Sequence, residues 1–537
     1  MKQFFRTLAV GVTALAMSVS AAFALTTQQL GTLLRENYPG EIPAGVWQET
    51  TVDGMLRALG DGFTTHLTPE GYKALMDGLT QEDPQAPSVT FQMEQGHIGV
   101  FTLPSFTAQS GALVEKAVVE HDAAADRWIV DLRGNLGGEI QAAADTMASF
   151  TGGGELAYLR DKDGKLYANT SGRTSATIDP VILLVNDRTA SAAELFAANV
   201  RDSRAGIIIG SRTYGKGVAQ SLFDQTNSPE YFPDGDALLL TTHRFYSSQF
   251  NSNNILGVLP QIMVEDELAP RVARLLCASA PAGNAANYLR IHLSWRWYVD
   301  LAQAKADPEA FQALLEALPP QSEIYQGTAS GWQKTTAQAV ANQYAKGYQP
   351  RRFTDVDASP YRDAINALKT YGILQGKDGE SYDPTGTMTR AELCALLAQA
   401  MNYPKSEGEP AFADTPAWRW YTPYITTLSS MGIVNGFEDG TFRPDETISH
   451  REFMAVLSRI AGYTNHRIHT ALQAGPSAED LATGNYAAYG WATTSAWVLD
   501  GWWQADAKSI DPKAATTRGE AAVCLYNTLA GLGILPA

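Results

Sequence analysis

The stretch from Val181 to Gln220 limits the architecture of this chain more than any other. It reads VILLVNDRTASAAELFAANV and then RDSRAGIIIGSRTYGKGVAQ. Val181 to Val185 is a short, apolar, β-branched run and reads as a buried strand. Asn186 to Ala190 is a turn. Ser191 to Val200 has helix-forming composition, with Leu195 and Phe196 as apolar anchors. Ala205 to Ile209 is a second apolar run with strand character. A strand feeding a helix and then another strand is an α/β unit. Ser191 falls where strand passes into helix, so its hydroxyl sits at the end of a sheet beside the free amides of the first helical turn.

Two roles are open to that serine. Ser191 and Glu194 form S-x-x-E, a capping box that needs no chemistry. Lys216, set between Gly215 and Gly217 where the backbone can turn sharply, and the nearby Gln220 open a catalytic one. Gly210 to Gly217 also fits G-x-x-x-x-G-K. A phosphate loop, however, has Ser or Thr where Gly217 stands and feeds a helix, whereas VAQSLF reads as a strand.

TASAAELFA followed by G-x-x-x-x-G-K-G-x-x-Q resembles the core of the carboxyl-terminal processing peptidases, also called tail-specific serine proteases. DLRGNLGG, Asp131 to Gly138, resembles their third signature, and ALGDGFTTHLTPEGY, Ala58 to Tyr72, their N-terminal segment. His97-Ile98-Gly99-Val100-Phe101 is similar to the family's first core strand, and Gly257-Val258-Leu259-Pro260 to its terminal turn. The matches keep their order over most of residues 27 to 265. The resemblance implies peptide-bond hydrolysis by a Ser-Lys dyad, with Ser191 as nucleophile, Lys216 as general base and Gln220 orienting the lysine. It also implies an oxyanion-hole amide at Gly137; helix geometry adds the amide of Ala192. A free lysine has a pKa of roughly 10.4, so a base working near neutrality needs a depression of about 3 units, which burial can supply. A Ser-His-Asp triad is the rival, but His66, His97 and His243 lie in no matching motif. No cofactor or metal is implied. In the resembled family a PDZ domain that captures substrate tails follows the N-terminal segment. The interval from Tyr72 to His97 is too short for one, since domains below about 40 residues rarely fold alone.

The net charge of −17 argues against nucleic acid and anionic membrane surfaces as partners. Cys277, Cys394 and Cys524 are far apart in apolar contexts and read as buried thiols. Residues 1–24 read as an export signal: Lys2 and Arg6, an apolar stretch from Leu8 to Val19, and Ala22-Phe23-Ala24 for cleavage. The mature chain is expected outside the cytoplasm, with no integral membrane segment after signal removal.

Residues 25–88 read as an N-terminal helical segment, with Val52, Met55, Leu56 and Leu59 at helical spacing, Thr51 as cap and Pro69 opening a further helix. Strands and helices alternate through 89–268, which predicts an α/β peptidase core with a mixed, largely parallel sheet. Residues 269–350 read as a helical linker region of unknown role. Helices are expected at Asn287 to Ala304 and Pro308 to Leu318. Leu293, Trp295, Trp297 and Tyr298 form a patch suited to core packing or to a substrate platform.

The last third is a repeat in three copies, 351–405, 410–465 and 475–537, each opening a helix with a capping box: Thr389 with Glu392, Ser449 with Glu452, Thr517 with Glu520. Thr389-Arg390-Ala391-Glu392 resembles the signature of S-layer homology domains, which hold exported proteins to secondary cell-wall polysaccharide. An arginine at a helix N-terminus is a good carboxylate site. The resemblance implies polymer binding by Arg390 and Arg518; the second copy has His450 at that position, with Arg451 beside it. The expectation for the whole chain is an exported serine endopeptidase, anchored non-covalently at the cell wall and acting on polypeptides. The alternative is a catalytically silent peptidase-fold binding or structural protein of the cell surface.

Overall fold

The computed structural model describes residues 8–9, 25–80, 88–484, 486–502 and 510–535. The export-signal reading therefore falls, except for Leu8 and Ala9, outside the described residues. In chain order the first part gives β1 (Leu8–Ala9), α1 (Thr27–Asn37), α2 (Val52–Leu59), β2 (Thr65–Leu67), α3 (Pro69–Thr80), β3 (Thr90–Glu94), β4 (Ile98–Thr102), α4 (Ser110–His121), β5 (Arg127–Asp131), β6 (Gly138–Glu139), α5 (Ile140–Thr151), β7 (Gly154–Arg160), β8 (Leu166–Ser171), β9 (Val181–Val185), α6 (Ala192–Ser203), β10 (Gly206–Gly210), β11 (Val218–Phe223), β12 (Ala237–Ser247) and β13 (Ile262–Met263). The chain divides into two compact units. One comprises Met1–Ala205, Thr213–Ser248 and Ser252–Asn254; the other comprises Gly206–Arg212, Gln249–Asn251 and Ile255–Ala537.

The first unit holds two kinds of sheet. β4, β5 and β9 run parallel, with β3 antiparallel on β4. All five residues of β9 are buried, as a strand covered on both faces requires. Phe101 of β4 and Trp128 of β5 each meet Phe150 of α5 at 6.3 Å, and Phe150 stacks on Phe196 of α6 at 6.1 Å, which packs the two helices against this sheet. The other sheet is antiparallel, in the order β6-β1-β11-β12-β7-β8, with β2 paired to β12. The α/β core is thus as expected, with its parallel and antiparallel parts in separate ladders. β7 and β8 form the expected hairpin about Asp163-Gly164, and tight reversals of this kind impose antiparallel pairing. Leu30, Leu33 and Leu34 of α1 and Met55 and Leu59 of α2 bury against Leu238 and Leu240 of β12, which fixes the N-terminal helices on the antiparallel sheet.

In the second unit β10 pairs parallel with β13. The expected helix over 287–304 is not formed. β14 (Tyr288–His292) and β15 (Arg296–Asp300) make a hairpin there, and with β16 (Glu323–Thr328) and β17 (Gly331–Thr335) they form an antiparallel sheet in the order β15-β14-β16-β17. Leu289, Ile291, Trp297 and Val299 alternate along these strands and all are buried, so a period of two prevails. The helices α7 (Ala269–Leu276), α8 (Leu301–Ala306), α9 (Pro308–Ala317) and α10 (Ala337–Tyr344) accompany it. The repeats supply α11 (Arg362–Thr370), α12 (Arg390–Ala400), α13 (Thr422–Ser430), α14 (His450–Thr464), α15 (His466–Ala474), α16 (Ala478–Thr483), α17 (Thr493–Val498) and α18 (Arg518–Gly531). α12, α14 and α18 each start with the expected capping box. Cyclic bridges join the copies just before those helices: Thr387 to Thr517, Thr389 to Thr447, and Ser449 to Ala515. One hydrophobic core runs through all three copies and takes in Leu256 and Leu259, which the sequence had assigned to the peptidase. Cys277, Cys394 and Cys524 are buried and take part in no disulfide among the described residues. Among the described residues no helix is long and apolar enough to cross a membrane.

Candidate functional sites

Ser191 joins β9 to α6 with φ 60° and ψ −121°, outside the regions that L-residues favour. Such a conformation costs on the order of 1–3 kcal/mol and persists only where the surroundings hold it. The reciprocal half of the S-x-x-E box is formed, since Glu194 Oε2 accepts the Ser191 amide at 2.8 Å. The Ser191 hydroxyl is buried and has no hydrogen-bond partner. The box arrangement of Ser191 and Glu194 is thus present as expected, while the hydroxyl itself contributes no hydrogen bond to it.

Lys216 is 2% exposed. Its ammonium nitrogen lies 5.2 Å from the centre of the Phe63 ring. Burial pulls the ammonium down to about 8, against the raising influence of Glu194 and Asp61. The Asp61 turn is fixed by its carboxylate, which accepts the amides of Phe63 and Thr64 and the Thr64 hydroxyl. Beyond it His66 bonds Asp236 at 2.8 Å and Tyr72 donates to Asp224 at 2.8 Å, so the N-terminal segment is pinned where Phe63 covers the lysine. Gln220 on β11 is buried, and neither of its side-chain amide atoms is hydrogen-bonded. Leaving a buried polar group unbonded costs about 1–3 kcal/mol, a cost found where a ligand completes the site. The expected bond from Ser191 to Lys216 is not made in this conformation, and Gln220 makes no hydrogen bond to the lysine.

Gly137 packs directly on Ser191: a Cβ there, at φ 107°, would fall 2.8 Å from Ser191 Cβ. Its amide, however, donates to Asn135 Oδ1 at 2.8 Å. The donor expected for the oxyanion hole is thus engaged within its own loop. Asn135 is held in turn by its Nδ2 on the Leu103 carbonyl, and its own carbonyl accepts the Ala190 amide. Ala192 opens α6, so its amide has no intrahelical acceptor. A phosphate loop is not formed, because Lys216 is buried and leads into strand β11. Of the rival histidines, His66 is tied to Asp236, His97 bonds the Gln95 carbonyl, and His243 bonds Thr242.

Beside the site, β6 and β11 flank a single strand position. Leu8–Ala9 fills it, antiparallel to both, with Leu8 opposite Glu139 and Gln220 and Ala9 opposite Gly138. The residues that sequence reading missed are Asn135, Phe63 and the wider role of Glu194. Phe63 and Asn135 lay inside stretches already singled out, but only the fold brings them to Lys216 and Gly137.

The repeats reuse their helix starts as junctions. Arg390 donates Nε to the Phe442 carbonyl at 2.9 Å and Nη1 to Glu452 at 3.1 Å. Arg518 donates Nε to the Tyr382 carbonyl at 2.8 Å and pairs with Glu392 at 3.4 Å. His450 fills the same place in the second copy, with Nδ1 on the Asp511 carbonyl at 3.0 Å and Nε2 on Glu520 at 3.3 Å. Each copy thereby grips the capping-box glutamate of the next. A cavity of about 400 Å³ opens where the first two copies meet, lined among others by Arg390, Arg451, Glu452 and Arg459, and by Trp491 of the third copy. Arg451 Nε is buried there without a hydrogen-bond partner.

Residues 97–264 match the model of peptidase family S41, and residues 352–394 and 411–454 match that of the S-layer homology domain. A carboxyl-terminal-processing protease of Synechocystis sp. is 31% identical over 172 residues, covering 32% of this chain and 39% of that protein. A tail-specific protease of Haemophilus influenzae is 32% identical over 194 residues, covering 35% of this chain and 27% of that protein. A solved photosystem II D1 C-terminal processing protease aligns with a TM-score of 0.32 at 26% identity, over 37% of this chain and 55% of that one. The chain spans about two fifths or less of the length of these curated relatives. By the two family models and the curated relatives, the chain carries a peptidase family S41 domain, with carboxyl-terminal processing proteases among its homologues, and S-layer homology domains C-terminal to it.

Proposed function

We propose that this protein is an exported serine endopeptidase that cleaves polypeptides at the cell surface. In this reading Ser191 attacks the scissile carbonyl and Lys216 takes the hydroxyl proton, then returns it to the leaving amine. The observation that carries the reading is a strained, unbonded serine tied through the Glu194 carboxylate to the backbone of a lysine drawn down to about 8 by burial. Gln220 keeps buried amide atoms available to orient the lysine or the substrate. The Ala192 amide supplies one oxyanion donor, and Gly137 supplies the second once its amide leaves Asn135. Substrate enters as an extended strand between β6 and β11, in the position that Leu8–Ala9 occupies, where main-chain bonds give affinity without selecting a sequence. The short interval from Tyr72 to His97 supports a reading in which no PDZ domain captures the substrate tail and a free C-terminus contributes little to binding.

The three repeats anchor the protein to secondary cell-wall polysaccharide. Arg390 and Arg518 serve that binding mainly by holding the copies together. The side chain with an unbonded donor facing the cavity is Arg451, beside Arg459 and the exposed Trp491, a setting suited to an anionic sugar. The domain plan is that of the sequence reading: signal at 1–24, helical segment at 25–88, peptidase core at 89–268, a region of unknown role at 269–350, and three repeats at 351–405, 410–465 and 475–537.

The engaged Gly137 amide favours a second reading, a catalytically silent protein that keeps the fold. Hydrolysis of an unfolded polypeptide by the full chain, compared with Ser191→Ala and Lys216→Ala, decides between them. Turnover that both substitutions abolish supports the enzyme; no turnover in the unsubstituted chain supports the silent protein.

A further inference from the structure

Glu194 is fully buried, and the groups bonded to its carboxylate are all donors. Oε2 accepts the amides of Ser191 and Lys216, both at 2.8 Å. Oε1 accepts the Thr213 hydroxyl at 2.6 Å and the Gly215 amide at 2.8 Å. One oxygen therefore ties the backbone of the nucleophile to the backbone of the base, and the other secures the loop that carries the base. An ionised carboxylate only accepts, so it fits four donors. The neutral acid carries a proton of its own, which would be set against the three N–H groups, and on the Oε1 side it would require the Thr213 hydroxyl to turn from donor to acceptor.

We propose that Glu194 is the positioning residue that couples Ser191 to Lys216, and that its protonation uncouples them and gives the enzyme a second acid cut-off. The inference rests on the Ser191–Lys216 dyad reading. The charged group facing Glu194 is Lys216, with Asp61 also acting on that lysine; Ser191, Thr213 and Gly215 present neutral donors, and Asn253 Nδ2 bonds the Glu194 main-chain carbonyl. Burial pushes the Glu194 carboxyl up to about 7, even though the four hydrogen bonds favour ionisation. Lys216 must be neutral and Glu194 ionised for turnover, so protonation of either group removes activity on the acid side. As pH falls, the first proton goes to Lys216 near 8 and the second to Glu194 near 7. The slope of log kcat against pH then steepens from one to two.

The test is the pH profile of kcat and KM for the full chain on one unfolded polypeptide. Glu194→Gln is expected to lower kcat on the order of 100-fold, the scale set by displacing a reacting group by about 1 Å, with KM unchanged and a slope of one throughout. Thr213→Val removes a donor that favours the ionised form, so the steep part of the profile moves to higher pH; this variant decides the matter if Glu194→Gln fails to fold. Wild-type kcat in Glu194→Gln overturns the proposal. So does a slope that still steepens to two in that variant, or a break that stays in place in Thr213→Val. Full hydrolysis by Ser191→Ala, or none by the unsubstituted chain, overturns the dyad reading and this inference with it.

Discussion

Arg390→Met separates an arginine that joins repeats from one that holds ligand. Methionine keeps most of the apolar stem and removes the guanidinium. Arg390 is 8% exposed, its Nε bonds the Phe442 carbonyl, and its Nη1 meets Glu452. The guanidinium also lies 4.5 Å from the centre of the Phe442 ring and 5.0 Å from that of Phe437. A hydrogen bond from a charged donor contributes about 1.5–3 kcal/mol, and a cation over an aromatic face about 0.5–1 kcal/mol where partly exposed. Glu452 keeps its bonds to Ser449, so no buried charge is left alone. The junction between the first two copies should therefore lose about 2–4 kcal/mol. The assay is amide hydrogen exchange of α12 and α14 in the full chain, followed through a urea series. The reasoning is refuted if protection of these helices stays within about 0.5 kcal/mol of wild type while binding to purified walls collapses, because the guanidinium would then act on the ligand and not on the junction.

The second junction should be pH-dependent where the other two are not. Burial lowers the His450 imidazole, but its bonds to Glu520 and the Asp511 carbonyl outweigh this and leave it above its ordinary 6.5. A raised folded value means that the stabilisation is full below 6.5 and is lost as pH rises through that folded value. His450→Arg should abolish the loss, as read by α14 and α18 exchange at about pH 6 and about pH 9. Arg451→Gln should weaken sedimentation with purified walls by tenfold or more, about 1.4 kcal/mol, with exchange of α14 unchanged; full retention would clear Arg451 of a binding role. Deleting the repeats is a poor substitute for this test, since it would uncover Leu256 and Leu259. Amidating the C-terminus of a peptide substrate should change kcat/KM by less than about twofold, and a drop of about tenfold would mean that tail capture persists.

The strand–serine–helix junction was legible because β9 is an unbroken apolar run and α6 begins at a polar turn, signals that lie within one segment. The three capping boxes were legible for the same reason. The helix expected over 287–304 gives way to the hairpin of Tyr288–His292 and Arg296–Asp300, because Leu289, Ile291, Trp297 and Val299 alternate and are buried at a period of two. The oxyanion role of the Gly137 amide rests on the motif, and a motif does not reveal that Asn135 Oδ1, in the same loop, accepts that amide's hydrogen bond. The arginines at the repeat helix starts read as polymer-binding carboxylate sites, and the carboxylates they meet, Glu452 and Glu392, lie in other copies, which the local sequence does not reveal. Glu194 was visible as a cap, but its hold on Lys216 exists only once the loop after β10 folds back on α6.

The central claim is that Ser191 is a nucleophile activated by Lys216. Reaction of the full chain with a fluorophosphonate, with the modified residue located by mass spectrometry across a pH series, addresses both halves of it at once. The account predicts a single adduct on Ser191, a rate that rises with pH through about 8 as Lys216 loses its proton, and no adduct in Lys216→Ala. An adduct on another residue, or labelling of Lys216→Ala at the wild-type rate, would contradict it.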